Sequence, residues 1–139
     1  TFESGGRAVA DFLDELGHPE GAYVFVDGSG LARGARMSPA LMCDVLRMMY
    51  CSESRDVYLA SLARPGESGT LSKRMKDPAL RRAVWAKTGY IRGVSALSGY
   101  VRTSSGRMLA FCILMNDLKC PLSAARAKQD EVCRILAAL

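Results

Sequence analysis

Three segments rich in strand-forming residues follow one another in the second half of the chain, and they constrain its fold more than any other feature. They occupy residues 84–91, 94–102 and 107–116, and only short turn sequences separate them. The turn at 103–106 is short enough for a hairpin. Because parallel strands need a crossover of a dozen or more residues, such short connections indicate antiparallel pairing. The sequence therefore predicts an antiparallel meander.

Apolar residues at helical spacing predict helices around this meander. The first helix is predicted at residues 5–16, and Ser38 followed by Pro39 marks the start of the second. A third short helix is predicted at 56–62 and a basic helical turn at 70–76. A C-terminal helix carries an apolar stripe that should pack on the sheet: Leu122, Ala125, Val132, Ile135, Leu136 and Leu139. The expected fold class is α/β of the α+β type, a single segment over 1–139 with an antiparallel sheet covered by helices.

A further strand is predicted at residues 22–26, a short apolar run that reads as buried. The run leads directly into Asp27-Gly28-Ser29-Gly30, a glycine-rich loop. Loops held at the end of a rigid element often line functional sites. This loop is therefore a candidate site.

Composition excludes several classes of protein. The 139 residues are 49% hydrophobic and 24% charged, which is typical of one folded domain, and no apolar run approaches the roughly 20 residues that span a bilayer. Nineteen Lys and Arg residues against fourteen Asp and Glu residues give a net charge of +5. The Arg residues are scattered along the whole chain, which favours a solvated basic surface over a nucleic-acid patch. A nucleic-acid-binding domain therefore ranks last among the functions considered.

The cysteines and the single histidine do not form a recognisable metal site. None of the five cysteines belongs to a C-x-x-C pair, and their odd number does not complete a disulfide framework, so most are expected to be buried thiols. His18 stands beside Pro19 and is expected to be a surface turn residue. We therefore expect no metal and no organic cofactor.

The first residue of the sequence is Thr1, not Met, which indicates a piece of a longer product. A free N-terminal Thr can act as a nucleophile with its own amine as base. Such nucleophiles normally begin a buried strand, whereas Thr1 precedes a helical pattern, so this chemistry is not favoured.

Lys87-Thr88-Gly89 lies inside the first predicted strand of the meander. Lys provides a cation, Thr provides a hydroxyl donor, and Gly leaves the strand bare so that a ligand backbone can pair with its edge. The triplet can therefore form an anion site. Together with S-x-x-K and S-x-N, K-T-G is also the signature of penicillin-binding proteins and serine β-lactamases.

Several further stretches occur in the same order and spacing as in one branch of those proteins. The chain resembles the C-terminal part of the D-alanyl-D-alanine carboxypeptidases and endopeptidases of the class C penicillin-binding protein type, with a transpeptidase/β-lactamase-like fold. The resemblance runs from the first helix to the last strand and rests on V-D-G-S-G-L-A-R at 26–33, S-P at 38–39, G-T-L-S-K-R-M at 69–75, A-K-T-G at 86–89 and G-V-S-A-L-S-G-Y at 93–100.

The resemblance implies roles for the K-T-G strand. Lys87 and Thr88 would hold the terminal carboxylate of a peptide substrate, and Gly89 would let the substrate strand approach. The backbone N–H of Tyr90 would form half of an oxyanion hole.

The resemblance also makes Ser29 and Arg33 substrate-binding candidates that would face the substrate side chain. Two positions depart from the family pattern: Tyr90 follows K-T-G where Ser or Thr is usual, and Ala32 replaces a common Ser. Both departures bear on substrate preference.

The other two signature motifs are missing. None of the five lysines has Ser three places before it, and the single Asn, Asn116, has Leu114 two places before it. In the family these motifs precede the matching part, so the nucleophile is expected upstream of this chain. The segment is not expected to acylate anything by itself.

The resemblance thus implies a serine-type D-alanyl-D-alanine carboxypeptidase that acts on peptidoglycan stem peptides, binds β-lactams and resides in the bacterial periplasm or cell wall. The alternative is a non-catalytic module that binds peptidoglycan peptides after losing the nucleophile. The strand edge that bears Lys87 would favour self-association if it were left uncovered.

Overall fold

The computed structural model describes residues 2–139, with side chains from Glu3 onward, so the N-terminal nucleophile considered for Thr1 lies outside the described residues. The predicted meander is confirmed. Its strands are β1 (Val84–Ile91), β2 (Val94–Arg102) and β3 (Met108–Met115), antiparallel in the order β1-β2-β3. The β1–β2 register, with Ile91 opposite Val94, leaves a two-residue turn.

The predicted helices are present close to their predicted positions, and a short helix at Pro78–Ala83 that the sequence analysis did not predict is added to them. They are α1 (Phe2–Glu15), α2 (Pro39–Cys51), α3 (Arg55–Ser61), α4 (Pro78–Ala83) and α5 (Leu122–Ala138). Ser38 caps α2 as predicted, because its Oγ accepts a hydrogen bond from Leu41 N–H at 3.1 Å. The basic helical turn predicted at 70–76 is shorter: only Gly69–Leu71 forms a 3₁₀ turn, and irregular turns follow.

Helices cover the sheet on both faces, in line with the expected fold class. On one face, α4, α5 and the 3₁₀ turn close a core that includes Leu71, Leu80 and Phe111. On the other face, α2 and α3 pack around Tyr100, whose hydroxyl donates to Leu46 C=O at 2.7 Å. The buried hydroxyl is thus satisfied, and burial raises the pKa of Tyr100.

The packed face of α5 agrees only in part with the predicted apolar stripe, of which Ala125 is buried and Leu136 packs against the core. Ala125, Gln129 and Cys133 are its buried residues, whereas Val132 and Ile135 of the predicted stripe are exposed. Gln129 is fully buried because its Nε2 donates to Ser95 Oγ of β2 at 3.0 Å. An apolar pattern does not reveal a polar residue that is satisfied by a distant partner.

The strand predicted at 22–26 is wrong. The structure shows a single bridge there, between Val24 and Arg36, and no described strand continues the pairing. Val24, Phe25 and Val26 are 49%, 39% and 50% exposed. The local propensity for a strand is present, but no described element covers the segment.

The expectation of mostly buried thiols is also wrong. All five cysteines are free, but only Cys133 is buried, whereas Cys51 and Cys120 are exposed. His18 follows α1 in a turn, yet its ring is mostly buried and Nε2 lies 3.1 Å from Asp44 Oδ2 on α2. Among residues 2–139, no group of three potential ligands could hold a metal, and no helix is both long and apolar enough to cross a membrane.

Candidate active site

The candidate site is built on β1, an edge strand of the sheet. Ala86 exchanges two backbone hydrogen bonds with Ala63, of 3.0 and 3.1 Å, on the side away from β2. Because backbone groups alternate sides along a strand, the N–H and C=O groups of Thr88 and Tyr90 face the same way. No residue in the described part of the chain pairs with them there through its backbone. The strand therefore has an edge that is covered at Ala86 and open from Thr88 onward.

Lys87 is exposed at the start of this open edge. Its Nζ donates to Thr88 C=O at 2.6 Å, and Lys87 forms no ion pair with any described residue. A lysine ammonium has three donors, so two remain for a ligand. The Lys87 side chain thus places a positive charge without a counter-ion at the open edge of β1, where the backbone of a peptide could pair with the strand.

Thr88 is half-buried and points to the opposite face of the strand from Lys87. Its hydroxyl donates to Thr70 Oγ1 at 2.8 Å, and Thr70 is an exposed residue of the 3₁₀ turn. Thr70 received no role from the sequence, although it lies within the stretch at 69–75 that carries the family resemblance. No local signal marks this contact, because it joins residues 18 positions apart.

Gly89 and Tyr90 complete the open edge. Gly89 is opposite Ala96 in β2, and an added Cβ would lie 3.3 Å from the Ala96 Cβ, which is tighter than ordinary contact. Because both residues are small, no side chain projects far from that face of the hairpin, and a ligand can approach it closely. Tyr90 is 54% exposed, so its side chain is not packed into the core.

Ser29 hydrogen-bonds within its own loop. Its backbone N–H and its hydroxyl donate to Asp27 Oδ1 at 2.9 and 2.7 Å, and its Oγ accepts from Leu31 N–H at 3.0 Å. These bonds from Ser29 hold the pKa of Asp27 below its ordinary value. In this arrangement the hydroxyl proton shapes the loop and is not free for a ligand.

Arg33 lies near the turn of the β1–β2 hairpin. It lines a cavity of about 520 Å³ together with Arg92 and Gly93 of that turn and with Asp117 after β3. The lining includes none of Lys87, Thr88 and Gly89. The structure thus brings Arg33, but none of residues 27–30, to this cavity at the end of β1. Thr88 meets Thr70 at a separate place on the strand.

Solved structures share this arrangement of helices and sheet. Penicillin-binding protein 4 (dacB) from Haemophilus influenzae superposes with a TM-score of 0.85 at 28% identity, over 99% of this chain and 32% of that one. A second structure of that protein is a complex with a β-lactam. The TLA-1 extended-spectrum β-lactamase, at 18% identity and a TM-score of 0.71, shares the fold. The chain is therefore the helix-covered sheet region of a penicillin-binding protein or β-lactamase fold.

Sequence comparison narrows this class to one family. The model of the D-Ala-D-Ala carboxypeptidase 3 (S13) family matches residues 1–139, and the chain belongs to that family. It is 39% identical over 142 residues to the D-alanyl-D-alanine carboxypeptidase of Actinomadura sp. strain R39, covering 99% of this chain and 26% of that protein. It is 32% identical over 118 residues to D-alanyl-D-alanine carboxypeptidase DacB of Haemophilus influenzae, covering 84% of this chain and 25% of that protein. The chain thus spans about a quarter of the curated relatives it matches.

Proposed function

We propose that this chain forms the substrate-carboxylate side of a serine-type D-alanyl-D-alanine carboxypeptidase. The observation that carries the proposal is the open edge of β1, where the unpaired ammonium of Lys87 meets the hydroxyl-bearing Thr88. Membership of a carboxypeptidase family supplies the reaction class. The 139 residues are then one part of a larger catalytic domain.

The geometry supports binding of an extended peptide along the edge. The Thr88 N–H and the Tyr90 C=O can pair with a substrate strand, and Gly89 leaves room beside them. A peptide bound in this way ends in a carboxylate, which the Lys87 ammonium attracts. The site therefore selects a peptide with a free C-terminus.

The chemistry would be acyl transfer by a serine that lies outside these 139 residues, since the sequence contains no S-x-x-K. The serine oxygen attacks the carbonyl of the terminal amide, D-alanine leaves with the proton taken from the serine, and water then hydrolyses the acyl ester. The Tyr90 N–H, which faces the open edge, would donate to the oxyanion of both tetrahedral intermediates. This chain's part is to bind, orient and stabilise charge.

The substrates proposed are peptidoglycan stem peptides, and β-lactams would bind as their analogues. Support comes from the names of similar proteins, which include a penicillin-binding protein solved with a β-lactam. Action on peptidoglycan places the protein in the bacterial periplasm or at the cell wall. Self-association through the open edge of β1 stays a prediction.

A peptidoglycan-peptide-binding module that does not cleave is the second candidate. The observation behind it is that the donors of the described site, led by the Lys87 ammonium, serve to bind a carboxylate and cleave no bond themselves. The same edge would hold the peptide in both cases. The two candidates therefore differ only in whether the protein forms a covalent intermediate.

The test is to express the complete gene product that contains this chain and to expose it to a fluorescent penicillin. Covalent labelling that survives denaturation supports the enzyme, and a folded protein that binds a D-Ala-D-Ala peptide without labelling supports the module. Lys87→Ala should slow labelling about ten- to a hundredfold, because a hydrogen bond to a charged group is worth about 1.5–3 kcal/mol. Lys119→Ala, which removes an exposed lysine elsewhere, is the matched control. Labelling that is equally fast in both variants contradicts the role of Lys87.

A further inference from the structure

The contact between Thr88 and Thr70 decides which hydroxyl proton is available at the open edge. A hydroxyl group donates one hydrogen bond and accepts two. Thr88 Oγ1 donates its proton to Thr70 Oγ1 at 2.8 Å, so that proton is not directed at a ligand. Thr70 is exposed, and its own proton has no acceptor among the described residues. The free hydroxyl donor next to Thr88 is therefore that of Thr70.

Close packing fixes the 3₁₀ turn that presents Thr70. Gly69 has φ +54°, and a Cβ there would lie 3.0 Å from the Cβ of Ala63, the residue that pairs with β1 at Ala86. Leu71 is fully buried, and its C=O accepts from Gly66 N–H at 3.0 Å. The turn thus rests against the same backbone segment that covers the first part of the edge. The Thr70 hydroxyl is therefore held in position without a ligand.

Arg74 ties the other end of the turn to α5 and to the sheet. Its guanidinium donates to Asp130 Oδ1 at 2.5 and 3.1 Å and to Gln129 Oε1 at 3.0 Å. Gln129 in turn donates to Ser95 of β2. The strand pair that carries Thr88 and the turn that carries Thr70 are therefore joined by a continuous polar network.

We propose that Thr70 is a substrate-binding residue whose hydroxyl donates to the substrate carboxylate alongside the Lys87 ammonium. The chain Thr88→Thr70→carboxylate polarises each hydroxyl in turn, which strengthens the bond to the anion. This inference rests on the proposed function. It adds to the K-T-G strand a donor from a separate part of the chain.

The test uses the complete gene product and two peptides, an acylated D-Ala-D-Ala and the same peptide with a C-terminal amide. The readout is the preference for the acid over the amide, measured as a ratio of KM values where the peptides are cleaved and of Kd values where they are not. Thr70→Val should lower this preference about tenfold or more, because it removes a hydrogen bond to a charged group. Thr70→Ser should restore it. Ser72→Ala, which removes an exposed hydroxyl from the residue after the 3₁₀ turn, should leave it unchanged.

The controls separate this inference from the proposed function. A purely structural role of Thr70 would weaken both peptides equally, and an unchanged preference in Thr70→Val overturns the inference. Lys87→Ala is the reference: where it lowers the preference and Thr70→Val does not, only the role of Thr70 fails. A wild-type protein that binds neither peptide overturns both.

Discussion

Arg74→Met is the change that most directly tests the network behind the site. In the native protein the Arg74 side chain is 11% exposed and its partner Asp130 is 21% exposed. Met retains most of the aliphatic length but removes every donor. Gln129 Oε1 then loses the Arg74 hydrogen bond inside the core, and Asp130 loses its counter-ion.

The expected change in the free energy of unfolding follows from these two losses. An acceptor left unsatisfied in the core costs about 1–3 kcal/mol, which applies to Gln129 because it is fully buried. Loss of a fully buried ion pair costs about 3–5 kcal/mol, but water reaches Asp130, so about 1–2 kcal/mol is appropriate. We therefore expect Arg74→Met to lower the free energy of unfolding by about 2–5 kcal/mol.

The assay is urea unfolding of the complete gene product, followed by circular dichroism and fitted with a common slope. Arg126→Met is the matched control: Arg126 is an exposed residue of α5 near this contact, and only its backbone C=O accepts from Arg74. It should change the free energy of unfolding by less than about 0.5 kcal/mol. If the two variants are equally stable, the network does not hold the turn and the reasoning above is refuted.

Three further predictions concern the sheet and the thiols. Gly99→Ala should destabilise the protein by about 3 kcal/mol or more in the same assay, because the added Cβ would lie 2.1 Å from the Trp85 carbonyl oxygen. Gly5→Ala is the control: its Cβ would meet no atom within 4 Å, so the substitution should be neutral or stabilising. Burial raises the pKa of Cys133 from its ordinary 9.0 to about 12, so this thiol does not affect stability below pH 9. Above pH 9 it should lower the free energy of unfolding by up to about 1.4 kcal/mol per pH unit, and Cys133→Ala should make the measured slope shallower by that contribution. Intact-mass measurements during maleimide labelling should show Cys51 and Cys120 reacting first and Cys133 only after unfolding.

The meander could be predicted from sequence because its determinants are local. The third strand was predicted at 107–116 and is observed at Met108–Met115, since strand-forming residues and turn signals mark both of its ends. The segment at 22–26 has similar propensities but only one bridge, so propensity without a pairing partner gave the wrong result. Ile135 matched an apolar period on α5, yet it is 59% exposed, whereas the polar Gln129 is fully buried on the packed face.

In the candidate site, too, the residues with local determinants could be predicted and the residue placed by distant contacts could not. Lys87 and Thr88 are recognisable because their motif is contiguous, and the strand that carries them is predicted by local pattern. Thr70 is not recognisable, because its place beside Thr88 depends on Gly69 packing against Ala63 and on a network that joins residues 55 and 56 positions apart. A donor set assembled from distant segments responds to changes in packing that leave the motif intact. Substitutions in α5 that disturb this network should therefore reduce carboxylate recognition even though they touch no residue of K-T-G.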